Sequence, residues 1–353
     1  MKKTIAITSA LAAVTGLATA EIKINDFLSF EGFVDMSYSH TDIDDAGSDN
    51  SFDIDQVEID WLFSFGKVTG RVDLEYDGGT TGDDDTNVEQ AFATYDLGNG
   101  LSITAGRYES ALGLEAKEPT GLYQYSTAYD FGAADINDGG KGSTNILPQY
   151  GQGVKLTQTS GDNVYSLSVQ DESFDNDGGR LGGDDQANDG GEDSSYSIEA
   201  AASIALGNGM TWFLGGAYED SDADDNNTYV LNTHLLVESG ALTWGAEVNY
   251  GDAEGGFSEG LNGGSDSNEE VLQALLMANY AYSDCCSITG RISYSDHDND
   301  LDSEADFLKY TLAHNYAVTD NLAVITEVSL VDGEINDVDY EALVGAVEVL
   351  FTF

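Results

Sequence analysis

The chain ends with Leu343-Val-Gly-Ala-Val-Glu-Val-Leu-Phe-Thr-Phe353, in which apolar or small residues occupy every second position. These residues are Leu343, Gly345, Val347, Val349, Phe351 and Phe353. Successive side chains of a β-strand point to opposite faces, so a period of two indicates a strand with one apolar face. The same alternation starts at Leu28 and recurs along the chain in stretches of about 10 to 14 residues, long enough for membrane-spanning strands.

Two kinds of connector separate these predicted strands. Seven short turns rich in Gly, Asn and Asp lie at 66–67, 98–100, 161–163, 207–209, 239–240, 283–284 and 320–321. They alternate with eight longer acidic loops, at 41–51, 77–87, 109–148, 172–194, 219–227, 251–269, 296–305 and 332–339. This alternation predicts an all-β fold, a transmembrane antiparallel up-and-down barrel of about 16 strands with short periplasmic turns and long extracellular loops.

The N-terminus predicts export. Lys2 and Lys3 precede an apolar run at 5–17 and the small residues of Ala18-Thr19-Ala20, which is typical of a signal peptide. We therefore expect a signal peptide at 1–20 and a barrel at 21–353. The rest of the sequence has no apolar run of about 18 residues, so a membrane span must come from a closed barrel.

Composition narrows the class further. Twelve Lys and Arg against 65 Asp and Glu give a net charge of -53, which excludes nucleic acid as a partner. The hydrophobic fraction of 41% argues against disorder. A soluble β-sandwich is the competing fold, but many Tyr and Trp lie near strand ends, as the aromatic girdles of a barrel in outer-membrane lipid require.

A motif before the longest connector resembles a known family. Gly106-Arg107-Tyr108 is followed by Gly113-x-Glu115, and Pro148-x-x-Gly151-x-Gly153-Val154-Lys155 opens the next strand. This arrangement is similar to that of the OmpL-like β-barrel porin family and, more distantly, of the phosphate-selective porins. The alternating strand ending in Phe353 resembles the signal that the barrel-assembly machinery recognises. The resemblance implies an outer-membrane homotrimer that passes small hydrophilic solutes or ions.

The resemblance also implies that one long loop folds into the barrel lumen and narrows it. Segment 109–148 is the best candidate, because it is the longest connector and the one that contains both prolines. The alternative is that it lies over the barrel mouth. For the constriction we predict Glu115, Lys117, Glu118, Asp130, Asp135 and Lys141.

Charged residues on the polar faces of the strands are candidates for the pore lining. They are Glu31, Asp35, Asp60, Lys67, Arg71, Asp73, Glu75, Arg107, Lys155, Glu199, Glu247, Arg291 and Lys309. Phosphate-selective porins are implied to concentrate anions with many basic residues, and this chain has few. Because carboxylate rings favour cations, we expect weak cation selectivity. The rival function is a non-conducting structural or adhesive barrel with acidic surface loops.

Other chemistry receives little support from the sequence. Asp296, Asp298, Asp300 and Asp302 alternate in an acidic stretch that could hold calcium or magnesium loosely, but the stretch lacks the Gly and Glu of an EF-hand loop. No cofactor is expected. The adjacent Cys285 and Cys286 are read as turn-flanking residues, since no nearby His or third Cys completes a zinc site. No serine motif accompanies a histidine, so we expect no enzyme.

Overall fold

The computed structural model describes residues 21–44, 47–77, 86–132, 144–171, 173–174, 195–221, 226–254, 256–257, 268–300 and 303–353. The predicted signal peptide at 1–20 lies outside these residues. No helix among the residues described is long and apolar enough to cross a membrane.

The described residues form one antiparallel β-barrel. The strands are β1 (Ile22–Lys23), β2 (Leu28–Ile43), β3 (Gly47–Phe65), β4 (Val68–Asp77), β5 (Thr86–Gly98), β6 (Leu101–Glu109), β7 (Tyr150–Ser160), β8 (Asn163–Gln170), β9 (Ser195–Gly207), β10 (Met210–Ser221), β11 (Asn226–Ser239), β12 (Leu242–Ala253), β13 (Glu269–Ser283), β14 (Cys286–Asn299), β15 (Ser303–Thr319), β16 (Leu322–Ile335) and β17 (Val338–Thr352). From β2 onward each strand pairs with its neighbours in sequence, and β17 pairs with β2 to close the ring. The predicted barrel of 16 strands is confirmed, with the two-residue β1 as an additional strand.

Alternation along each strand separates an outer from an inner face, as β17 illustrates. Leu343, Val347 and Phe351 are 41–43% exposed on the outer face, as expected of side chains that contact lipid. Glu348 and Thr352 are almost fully buried on the inner face. The local period of two therefore decides which side chains face the lumen.

The barrel closes at a tight contact between its two ends. Gly32 and Phe353 exchange two backbone hydrogen bonds of 2.9 Å, and the ring of Phe353 lies beside Phe30. A Cβ atom on Gly32 would lie 2.3 Å from the carbonyl oxygen of Glu58 and 3.0 Å from the Phe353 ring. A side chain at position 32 would thus force the seam apart.

Several predicted loops are shorter than the sequence suggested. Segment 332–339 was expected to be a long loop, but only Asn336 and Asp337, with φ of 51° and 65°, separate β16 from β17. The predictions at 41–51 and 296–305 were also wrong in extent, because β2, β3, β14 and β15 continue through most of those residues. Acidic composition misled these predictions, since a strand that projects beyond the lipid can be polar on both faces.

Candidate functional site

The described residues between β6 and β7, 110–132 and 144–149, lie inside the barrel and are called the inserted segment below. It carries one short 3₁₀ turn, Pro119–Gly121, so most of its backbone groups need partners outside regular secondary structure. Near this turn, Pro119 and Leu122 line a small cavity with Ser287, beside the two-residue turn that joins β13 to β14.

Inward-facing side chains of the barrel supply many of these partners. The backbone N–H of Leu114 donates to Glu247 at 2.6 Å, and that of Ser126 donates to Glu327 at 3.0 Å. The carbonyl oxygen of Tyr123 accepts from the hydroxyl of Thr289 at 2.9 Å. The wall from β9 to β17 is therefore a binding surface for the inserted segment.

Two basic residues predicted to line the pore hold the segment in place. Arg291 is 2% exposed, and its Nη1 donates to Glu115 Oε1 and to the Ser126 carbonyl, both at 2.7 Å. Lys309 is 1% exposed, and its Nζ donates to Ser126 Oγ at 2.7 Å and to the Asp130 carbonyl at 2.5 Å. Their charges are thus directed to the segment rather than to open lumen.

Two predicted acidic residues anchor the segment from the same wall. Glu199 accepts from Ser110 Oγ at 2.5 Å and from the Ala111 N–H at 3.0 Å. Glu247, buried, also accepts from the hydroxyl of Tyr129 at 3.0 Å. Burial and the Glu247 carboxylate raise the pKa of Tyr129 well above its ordinary value, so the hydroxyl remains a donor.

Glycines on the wall make room for the segment's apolar side chains. A Cβ atom on Gly215 would lie 2.5 Å from Leu112 Cδ2, and one on Gly245 would lie 2.7 Å from Leu114 Cδ2. Leu112 and Leu114 are 1–2% exposed. Shape complementarity therefore adds to the polar contacts, and burial of each leucine contributes about 2 kcal/mol.

The wall from β2 to β5 carries a dense cluster of carboxylates around one cation. Arg71 Nη2 lies 3.6 Å from Glu58 and 3.1 Å from Asp60, and Arg71 Nε lies 2.7 Å from Asp73. All three carboxylates are at most 5% exposed. One guanidinium is therefore shared among three carboxyl groups.

The inserted segment also contacts this acidic wall. Glu118 accepts from Gln56 Nε2 and from the Tyr150 hydroxyl, each at 3.0 Å. The hydroxyls of Ser37 and Tyr125 lie 3.1 Å apart. At the level of these contacts the segment therefore reaches from one side of the barrel to the other.

The remaining predicted residues lie apart from these clusters. Asp35 is buried on the inner face of β2, and Glu31 and Glu75 are half-buried on the inner faces of β2 and β4. Arg107 donates to the Glu89 carbonyl at 2.9 Å, and Lys155 to the Glu109 carbonyl at 3.3 Å.

Within the segment, Lys117 Nζ donates to the Pro148 carbonyl at 3.2 Å, and Asp130 accepts from the Gly132 N–H at 3.0 Å. Asp135 and Lys141 lie outside the described residues. The roles assigned to these residues at the constriction and pore lining stay predictions.

One predicted lumen residue is misplaced. Lys67 is exposed in the two-residue turn between β3 and β4, with its Nζ 5.9 Å from the centre of the Tyr95 ring. Conversely, sequence reasoning missed Glu327, which accepts from both the N–H and the hydroxyl of Ser126. Glu327 lies on the polar face of the strand Leu322–Ile335, and this position could have identified it as an inward-facing residue.

The weak calcium candidates are spread along a strand and its end. Asp296 and Asp298 are exposed on the outer face of β14, Asp300 follows that strand, and Asp302 lies outside the described residues. Among described residues, two carboxylate trios bring an oxygen from each member within 4.8 Å, and neither contains these aspartates. Calcium binding at this stretch stays a prediction.

Cys285 and Cys286 are free thiols 3.4 Å apart.

Comparison with protein families gives one match over nearly the whole barrel. Residues 28–353 match the family model described as "Putative beta-barrel porin-2, OmpL-like". A comparison with curated protein sequences finds no match.

Solved structures of porins share the fold at low sequence identity. The outer membrane channel DcaP of Acinetobacter baumannii is 14% identical with a TM-score of 0.67, covering 95% of this chain and 100% of that one. An anion-selective porin from Comamonas acidovorans is 12% identical with a TM-score of 0.63, covering 92% and 99%. OmpT of Vibrio cholerae, in its trimer form, is 11% identical with a TM-score of 0.60, covering 93% and 100%.

Proposed function

Since the chain belongs to the OmpL-like β-barrel porin family and is an outer-membrane barrel, we propose that it is a passive, weakly cation-selective diffusion channel for small hydrophilic solutes. The proposed path passes beside the inserted segment along the wall from β2 to β5, away from the contacts of Gln56 with Glu118 and of Ser37 with Tyr125. Diffusion through such a path needs no catalytic group, so we propose a channel rather than an enzyme.

The observation that supports cation preference is the distribution of basic side chains. Arg291 and Lys309 are buried against the inserted segment, and Arg71 is surrounded by Glu58, Asp60 and Asp73. Carboxylates on the β2–β5 wall therefore exceed the cations available to neutralise them. A pore lined by excess carboxylate concentrates cations and repels anions.

Single-channel recording of purified protein in planar bilayers tests the proposal. We expect stable conductance steps and, in a salt gradient, a reversal potential of the sign that cation preference gives. Glu31→Gln removes one half-buried inner-wall carboxylate and should shift the reversal potential toward zero. Asp162→Asn removes a carboxylate from an exposed turn and is the matched control, which should leave it unchanged. A preference for anions in the wild-type protein would contradict the charge argument.

The second candidate function is a non-conducting structural or adhesive barrel. It is favoured by the contacts that link the segment to the acidic wall, Gln56 to Glu118 at 3.0 Å and Ser37 to Tyr125 at 3.1 Å. Protein that is folded, as shown by the heat-modifiable gel shift of a barrel, would give no conductance if this second function is correct.

We also propose that the barrel is a homotrimer whose assembly begins with recognition of the last strand. One structural neighbour, OmpT of Vibrio cholerae, is described as a trimer. Phe353 lies beside the closing seam, where the barrel-assembly machinery would meet it. Chemical cross-linking in native membranes tests the trimer, and deletion of Phe353 tests the assembly signal.

A further inference from the structure

We propose that Glu58, Glu89 and Glu118 bind one calcium ion, which fastens the inserted segment to the barrel wall. The three residues come from three separate parts of the chain, β3, β5 and the segment itself. The inference is independent of whether the barrel conducts.

The geometry suits a single hard cation. One carboxylate oxygen from each of the three residues lies within 4.8 Å of the other two. Calcium binds oxygen ligands at about 2.3–2.6 Å, so two of its ligands can be separated by up to about 5 Å. Three carboxylates from the protein leave further coordination positions for water, as flexible calcium sites allow.

A buried carboxylate oxygen that accepts no hydrogen bond gives a second, independent indication. Glu58 is 0% exposed, and its Oε1 accepts no hydrogen bond and has Arg71 Nη2 at 3.6 Å. Its Oε2 accepts only a long hydrogen bond from Gln56 Nε2, at 3.4 Å. Oε2 of Glu89 is likewise buried and without a hydrogen-bond partner. Burying a carboxylate without compensation is costly, so such oxygens call for a cation or a proton.

Arg71 is too engaged elsewhere to neutralise the trio. Its guanidinium lies closer to Asp60, at 3.1 Å, and to Asp73, at 2.7 Å, than to Glu58. The neutral donors Gln56 and Tyr150 supply hydrogen bonds to Glu118 but no positive charge. A divalent ion would provide the missing charge and would join Glu118 of the segment to two strands of the wall.

Equilibrium dialysis of the folded, detergent-solubilised full chain against radioactive calcium tests the site. Prior chelation removes bound metal, and about 1 M NaCl shortens the screening length to about 3 Å, which suppresses binding to the acidic surface. Wild-type protein should retain one calcium per chain. Glu89→Gln and Glu118→Gln remove half-buried ligands, and each should weaken binding at least about tenfold.

Glu348→Gln is the matched control, because it removes a buried inner-wall carboxylate that is outside the trio. It should bind calcium as the wild type does. Calcium should also protect the wild-type segment from trypsin, which cleaves after Lys117, and should not protect the Glu118→Gln segment. Heat-modifiable migration verifies that each variant folds. Equal binding by all four proteins, or no binding at high salt, would overturn the proposal.

Discussion

Replacement of Arg291 by glutamine should release the inserted segment from the barrel wall. Arg291 is 2% exposed and donates to Glu115, to the Ser126 carbonyl and to the Thr127 carbonyl, at 2.7, 2.7 and 3.0 Å. Removing one partner of a buried ion pair costs about 3–5 kcal/mol, because the other charge is left uncompensated. This free-energy cost weakens docking of the segment, because the backbone hydrogen bonds of β14 with β13 and β15 remain.

A loss of about 3 kcal/mol increases the undocked fraction by roughly 100-fold, at about 1.4 kcal/mol per factor of ten. Limited proteolysis with trypsin measures this fraction, because Lys117 becomes cleavable only when the segment leaves the wall. Cleavage of Arg291→Gln should therefore accelerate by about that factor if opening is fast relative to cleavage. Single-channel records should show larger and noisier conductance.

Two further variants make this test specific. Arg291→Lys keeps the charge but loses the planar fork, so its cleavage rate should fall between those of the wild type and Arg291→Gln. Lys67→Gln removes a basic charge from an exposed turn and should behave as wild type. If Arg291→Gln is cleaved no faster than Lys67→Gln, the assignment of Arg291 as an anchor is refuted.

Two other substitutions test packing and closure. Leu114→Ala should weaken docking by about 2–5 kcal/mol, because Leu114 is 1% exposed against Gly245, and the same trypsin assay should show faster cleavage. Gly32→Ala should reduce the yield of heat-modifiable barrel, since its Cβ would lie 2.3 Å from the Glu58 carbonyl oxygen; normal yield and an unchanged unfolding temperature would show that the seam tolerates a side chain.

The sequence predicted the barrel well because the relevant information is local. A period of two assigned Leu343 and Phe351 to the outer face and Glu348 to the inner face without reference to any distant residue. Short turns marked where strands reverse. Strand ends were less accurate at 332–339, because the polar residues there satisfy both a projecting strand and a loop equally well.

The candidate site was harder to predict. The polar face of β4 put Arg71 and Asp73 on the same side of the strand, but it contained no signal that Arg71 is shared among three carboxylates. Lys67 was assigned both to the turn at 66–67 and to the pore lining, and the structure places it in the turn. Glu327 was overlooked because its partner, Ser126, lies 201 residues earlier in the chain.

The sequence by itself determined the strand number, the antiparallel order and the two faces of the barrel, since each follows from alternation and turn chemistry within a few residues. Tertiary structure alone decided which inward-facing groups meet. The inserted segment has no regular alternation of residues that would predict its course. Its course depends on contacts such as that of Arg291 with Glu115, 176 residues apart. Closure of the ring places those residues together. It also brings the basic side chains of Arg291 and Lys309 into contact with the segment.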